Sequence, residues 1–477
     1  MQDSKLIKIL RTLSKEEFKY LGWFVRSNFF NTDKNLVKFY DFLKKHHPDF
    51  VSARLEKRTA FQVLFPSTQY SDGKMRNLIS KMTNLSNEYL ISLELKNNGE
   101  KKQQMLVDVY ASRNVDYNEY KKKSHELIGL LEKRLSQHPE DTWQLFRLHN
   151  NFYFYSKTPK SVDTVNYLLK AKKNIELTYV IFLLKILCEL KARELIFHEN
   201  HEAKTIDPYL LQKITSIAAS PLAQVYSKIY EMQHSGTIES YQAAKESFNF
   251  HLKAIDNREV KPIFQLLLNF AIFNHNKGEP HYSEEVFHLY KIGIDTRIWF
   301  EDGIISDTAF FSIASQGAST GEFEWTELFI KKYKKHLRSE LKDQTISISW
   351  GYWYFFRADH SKSLDVLQGV AFSNTTYKIA SRLLLVRSYF ELYLKDDSYY
   401  DLTNYSIESF EKFLKRSKNI SKSRSEIIQN FLRELKKLVK FYAAKEINES
   451  LKEEWTNELN IKNMVAKNWL LEKIRSI

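Results

Sequence analysis

Cysteine, proline and glycine are all scarce: 477 residues include one Cys, 8 Pro and 12 Gly, against roughly 24 Pro and 33 Gly at average usage. Each shortage excludes something. A sheet-rich chain of this length needs many tight hairpins, and so many residues that accept positive φ or break strands, which disfavours all-β and Rossmann-type plans. Long helices with short connections remain. The lone Cys188 lies inside the apolar run 180–188 and packs most simply as a small hydrophobe. No intrachain disulfide is possible, and without a CxxC or a zinc-type spacing the pattern fits a reducing compartment. The longest apolar stretches, 179–190 and 263–273, are broken by Lys185 or by Gln265 and Asn269, and fall short of the roughly 18 to 20 residues that span a bilayer. Residues 1–18 carry lysines and glutamates every few positions where a secretory signal needs an apolar core. A cytoplasmic protein without a membrane span is expected.

Apolar material is plentiful. Hydrophobic residues make up 43% of the chain, with 33 Phe, 27 Tyr and 8 Trp, enough for large cores and enough to exclude disorder despite 27% charged residues. At this length two or three units, or a stack of repeats, are expected rather than one core. Lys and Arg exceed Asp and Glu by 72 to 58, for a net +14. That excess favours acidic partners and also serves plain solubility.

Helical spacing is clear from the start. Leu6, Ile9, Leu10 and Leu13, then Phe18, Leu21, Phe24 and Val25, then Leu36, Phe39, Tyr40 and Leu43 mark three helices. Ser14 with Glu17 forms a capping-box start, and His47 before Pro48 ends the third helix. A fourth helix over 57–64 is stopped by Phe65-Pro66, and a fifth begins after Ser71-Asp72-Gly73. The run 96–102 has no apolar residue and is the best boundary in the chain. Beyond it helices alternate with short polar breaks near 114–116, 138–141, 157–159, 207–208, 220–221 and 277–280. Ser220 before Pro221 suits an N-cap with proline at the first helical position. The expected organisation is an N-terminal helical bundle (1–95), a stack of helical hairpins (104–440) and C-terminal capping helices (441–477), in which Trp469, Leu470 and Ile474 cover the last hairpin.

Two stretches share an internal likeness. Ile313-Ala314 is followed by Gly321-Glu322-Phe323-Glu324-Trp325 and an amphipathic helix through Leu328, Phe329 and Tyr333. This resembles a tetratricopeptide repeat. Ala314, Gly321 and Phe323 match that family's small, glycine and aromatic positions, while Thr326 stands where alanine is usual. Helices joined by a short turn approach closely only where crossing residues carry little side chain. The stretch 359–367 reads the same way, with Ser363 at the small position, Leu364 beside it and His360 replacing the aromatic. Weaker units fall at 262–295 and 375–417. The whole chain also resembles a group of all-helical proteins from Bacteroidetes-type bacteria, through Leu13-Ser14-Lys15-Glu16-Glu17-Phe18, Lys74-Met75-Arg76-Asn77-Leu78 and Asn468-Trp469-Leu470-Leu471-Glu472-Lys473-Ile474. That likeness brings no activity with it. The repeat resemblance implies an all-α fold, a right-handed superhelix of antiparallel hairpins.

Catalytic and metal patterns are thin. Gly317-Ala318-Ser319-Thr320-Gly321 matches GxSxG, but that nucleophile needs a strand-to-helix turn, and 309–315 reads as helix. Glu194, His198, His201 and Glu202 fall close to one helical face and could converge on a cation, although no second helix offers further ligands. The helix opening Lys74-Met75-Arg76-Asn77 has a helix-turn-helix flavour, with too long a preceding turn. Rings crowd 350–356 and 152–155 on every side, which fits helices sandwiched in a core and also a groove that stacks bases or holds peptide side chains. No phosphate loop, dinucleotide fingerprint or EF-hand is present. Basic residues concentrate at Lys331, Lys332, Lys334, Lys335 and Arg338, and again at Lys412, Lys415, Arg416, Lys418, Lys422, Arg424, Arg433, Lys436, Lys437 and Lys440 against Glu426 and Glu434. A solvated outer face or an anionic partner explains the second group. The expected protein is a non-enzymatic scaffold with no catalytic residue, cofactor or metal, binding a protein or peptide partner, acidic by charge. The alternative is a nucleic-acid binder using the same basic helices.

Overall fold

A computed structural model describes residues 1–134, 138–161, 163–197, 220–277, 279, 281–337, 340–417, 419–444 and 449–476. Among these residues the protein is all-helical apart from a two-residue antiparallel strand pair, Phe300–Glu301 with Ile304–Ile305. No described helix is long and apolar enough to cross a membrane. The chain forms two compact units, one of Met1–Lys133 with Leu148–Leu168 and one of Arg134–Arg147 with Leu169–Ile477.

The first unit begins as the residue pattern requires. Ser14 Oγ accepts from the Glu17 amide and the Ser14 amide donates to Glu17 Oε2 at 2.7 Å, so the capping box opens the helix Lys15–Arg26. Phe18, Leu21 and Val25 from its buried face join Leu6, Leu10, Phe39, Tyr40, Leu43, Phe61, Met75 and Tyr89 in one core. Two buried phenols are satisfied by carbonyls, Tyr40 donating to Phe18 O at 2.9 Å and Tyr89 to Glu17 O at 2.6 Å. Burial pushes the Tyr89 hydroxyl up to about 12. The third helix, Lys34–Lys44, ends before the His47-Pro48 pair that was expected to stop it. The polar run 96–102 is not an extended linker. Asn98 closes the helix Asp72–Asn97 and caps the helix Gly99–Ser112, its side chain accepting from the Lys101 amide at 3.1 Å. The division between compact units falls elsewhere. Within the first unit, Tyr120 packs against Phe152 and Tyr155, whose hydroxyl donates to Val115 O at 3.0 Å.

The second unit is built from neighbouring helix pairs. Pro221–Ser235 packs on Ile238–His251, Asn257–Lys277 on His281–Asp295, Asp307–Ser319 on Phe323–Tyr333, Lys342–Phe356 on His360–Gln368, and Thr375–Tyr393 on Tyr400–Arg416. Successive pairs touch as well: Lys342–Phe356 packs against both Asp307–Ser319 and Thr375–Tyr393. Sandwiched between neighbours, its rings are all at least partly buried, Trp353 and Phe355 deeply. Ser220 caps the first of these helices with Pro221 at its first turn, as read from the sequence.

Two hairpin turns share one geometry. Gly321 (φ 81°) and Ala358 (φ 60°) are both left-handed. Each turn closes with the same pair of backbone bonds, Gly321 N to Ala318 O and Glu322 N to Gly317 O, then Ala358 N to Phe355 O and Asp359 N to Tyr354 O, at 3.0 to 3.2 Å. These are Schellman caps, which favour glycine because a Cβ is strained at positive φ. A358G is therefore expected to stabilise the protein by about 0.5 to 1 kcal/mol and G321A to destabilise it by about 1 kcal/mol, read from urea midpoints.

The crossings explain which residues are small. A Cβ on Gly317 would lie 2.3 Å from Thr326 Oγ1 and 3.1 Å from Phe287. Gly317 and buried Thr326 therefore form the closest approach in that hairpin, beside Ala314. In the next hairpin the buried Ser363 hydroxyl donates to Gly351 O at 2.9 Å, with Leu364 and Leu367 buried alongside. Phe323, which matches the family's aromatic position in the first hairpin, is only half-buried at the helix start, and its carbonyl accepts from Trp353 Nε1 at 2.9 Å. The buried plug of that hairpin is Phe329, stacked on Trp325 and against Phe310.

Candidate interaction surface

The helices Tyr400–Arg416 and Lys422–Ala444 pack against each other in the second unit. Their seam is apolar: Ile407, Phe410 and Leu414 on one, Ile428, Phe431, Leu432, Leu435, Leu438 and Val439 on the other, all buried. Helical periodicity then forces the intervening residues outward. Arg433, Lys436 and Lys440, at i, i+3 and i+7, form an exposed row, and Lys422 and Arg424 open the same helix. Lys415 and Arg416 occupy the last turn of the preceding helix, where cations offset its carbonyl end. Lys418 lies outside the described residues.

Charges that look alike in sequence are used differently. Glu434 is buried and accepts from Trp455 Nε1 at 2.9 Å and Lys462 Nζ at 2.8 Å, so it does not offset the outward row. Lys437 lies over the Trp455 ring at 4.5 Å and is drawn to that aromatic wall rather than to the row. Lys412 pairs with Glu408 at 3.8 Å. The remaining seven, Lys415, Arg416, Lys422, Arg424, Arg433, Lys436 and Lys440, make no ion pair with a described residue. Glu426 is the exposed carboxylate left on the second helix. Between Lys422 and Lys440 the helix rises about 27 Å.

Other sequence candidates are dispersed or engaged. Ser319 ends a helix and donates to Gln316 O at 2.9 Å, where a nucleophile elbow would require a preceding strand. Glu194 pairs with Lys191 at 2.9 Å, while His198, His201 and Glu202 lie outside the described residues. Among the described residues no group of three or more His, Cys, Asp or Glu is placed to hold a metal ion. In the helix Asp72–Asn97, Lys74 lies over the Phe65 ring at 4.1 Å and Arg76 pairs with Asp72 at 2.8 Å, so both cations are already occupied. Of the other basic cluster, Lys331 pairs with Glu327 and Arg338 lies outside the described residues.

One buried polar cluster of the second unit was not visible in the sequence. Glu259, 1% exposed, meets Lys185 Nζ at 2.7 Å, the Tyr226 hydroxyl at 2.6 Å and His138 Nε2 at 3.3 Å. His138 Nδ1 accepts from the Glu140 amide at 3.2 Å, which leaves the ring proton on Nε2 to donate to Glu259. Burial and the neighbouring carboxylate push the Tyr226 hydroxyl strongly up, so it stays protonated and donating. Each polar group is satisfied by another, and the cluster ties together three helices and the start of a fourth.

The chain matches no protein-family model, and comparison with curated proteins and with solved structures finds no significant match.

Proposed function

We propose that the protein is a non-enzymatic helical-repeat scaffold that grips an acidic protein or peptide segment along the basic last turn of Tyr400–Arg416 and the basic helix Lys422–Ala444. Its second unit is read as a right-handed, tetratricopeptide-like stack of antiparallel hairpins. The pairwise packing of successive helices, the matching Schellman turns at Gly321 and Ala358 and the small crossing residues support that architecture. The observation that carries the binding proposal is the set of seven exposed cations that make no ion pair with a described residue, beside a buried carboxylate, Glu434, that is turned inward. Unpaired like charges on one surface repel one another, and an anionic partner relieves that repulsion.

Anisotropy of a labelled oligoglutamate peptide tests this directly. Saturable binding is expected, weakening with salt, and K415E/R416E/K422E/R424E is expected to reduce affinity at least about tenfold through lost and reversed Coulomb contacts. A labelled DNA duplex is the control. Tighter duplex binding, with a salt slope that demands several neutralised phosphates, would assign these helices to nucleic acid instead.

A further inference from the structure

The tip of the first unit between Lys15–Arg26 and Lys34–Lys44 carries exposed aromatic rings that its own core does not need. Phe29 is 87% exposed and Trp23 61%, with Phe30 also open to solvent. A large ring left in water forfeits the free energy of burial, yet this loop is held in place by many bonds. The Phe30 and Asn31 amides both donate to Ser27 O, the Asn31 side chain donates to Val25 O at 2.7 Å and Asp33 O at 3.2 Å, and the Asp33 amide donates back to Asn31 Oδ1 at 2.9 Å. Phe30 is stacked on Phe24 at 3.9 Å, and Phe29 stands edge-on to Phe30 at 4.9 Å. Phe29 is thus presented outward by a fixed turn.

From Ser14 through Lys44 six basic side chains stand against four acidic ones. The four acidic side chains between Ser14 and Lys44 are engaged: Glu16 with the Tyr20 hydroxyl, Glu17 in the capping box, Asp33 with Lys81 and Asp41 with Arg26. Lys15, Lys19, Lys34 and Lys38 are exposed and make no ion pair with a described residue. Lys19 Nζ lies 5.5 Å from the Trp23 ring.

We propose that this tip docks peripherally on an anionic lipid surface, with Phe29 entering the acyl boundary, Trp23 at headgroup level and Lys19 and Lys34 over anionic headgroups. Three features favour lipid over other occupants. An exposed ring needs no complementary pocket in a bilayer, tryptophan prefers the interface, and exposed lysines match anionic headgroups. The ring faces of Phe24 and Phe30 are spent on each other, which leaves a poor platform for stacking bases. This docking is separate from the basic helices near the C-terminal end and can fail without them.

Co-sedimentation of the full chain with phosphatidylcholine vesicles, with and without phosphatidylserine, tests it. Binding to the anionic vesicles is expected; F29S should lower the partition coefficient about tenfold, F29W should retain it, and K19E/K34E should weaken the preference for phosphatidylserine. Circular dichroism and the thermal midpoint of F29S should match the parent, because Phe29 lies outside the core. No vesicle binding by the parent chain, as expected if the tip fits a partner protein's pocket, would overturn the proposal. Anionic-vesicle binding that F29S leaves unchanged would do the same, since it would come from other basic surfaces.

Discussion

Replacing Glu259 by alanine is expected to destabilise the protein by about 3 to 5 kcal/mol, the range for removing one partner from a buried, hydrogen-bonded ion pair. The carboxylate is almost wholly enclosed and holds Lys185, Tyr226 and His138. Without it the Tyr226 hydroxyl and the His138 N–H lose their acceptor in a buried site, each at about 1 to 3 kcal/mol. Lys185 is the least affected because part of its side chain already reaches water. E259Q keeps the volume and one acceptor oxygen for Tyr226, but places an amide where the ammonium needs an anion. A smaller loss, about 2 kcal/mol, is expected. Urea unfolding of the two variants checks the order, and an E259A loss under about 1 kcal/mol would mean that water reaches the carboxylate.

W469A is expected to cost a similar amount, about 3 to 5 kcal/mol, for a buried tryptophan truncated to alanine. Trp469 Nε1 donates to Glu391 at 2.7 Å, its ring packs edge-on to Phe390, and Arg387 lies 5.0 Å above it. Arg387 is itself buried, also faces the Phe355 ring at 4.3 Å, and burial lowers its guanidinium to about 10. Removing the indole therefore opens a cavity, takes one donor from Glu391 and uncovers a cation held mainly by aromatic faces. Lys473, 2.9 Å from Glu391, remains to hold that carboxylate. W469F restores most of the ring without the N–H, and a loss of about 1 to 3 kcal/mol is expected. Thermal or urea midpoints separate the two contributions. Equal losses in both variants would show that the hydrogen bond rather than packing dominates.

The same two sites show how far the residues alone could lead. Trp469, Leu470 and Ile474 were legible as an apolar face at helical spacing, and all three are buried in the second unit. Their partner Glu391 was not legible, because it lies 78 residues away in the chain. Glu259 gave no signal at all, since Lys185 and Tyr226 are 74 and 33 residues distant and no spacing rule connects them. In the hairpin over 307–333, Ala314 and the turn at Gly321 were recognisable, but Gly317 was absorbed into an apparent hydrolase pattern. Its close approach to Thr326 became evident only when the two helices were placed together. Phe323 was matched to the family's aromatic position, yet the buried ring of that hairpin is Phe329, further along the same helix, because an aromatic at a turn and one in a seam have the same local appearance.

The basic row followed the same division. Arg433, Lys436 and Lys440 could be placed on one face from spacing alone, whereas Lys437 and Glu434 were counted with them and prove to be held by Trp455 and Lys462.

Helix positions, caps and the choice of an all-helical fold were determined by the residues themselves, because periodicity and end-capping act over three or four neighbours and need no other part of the chain. Which charges are free and which are consumed was decided by tertiary packing. Desolvation and Coulomb attraction depend on what lies within a few ångströms through space, and only the folded helices bring Lys185 to Glu259, or leave Lys436 facing water.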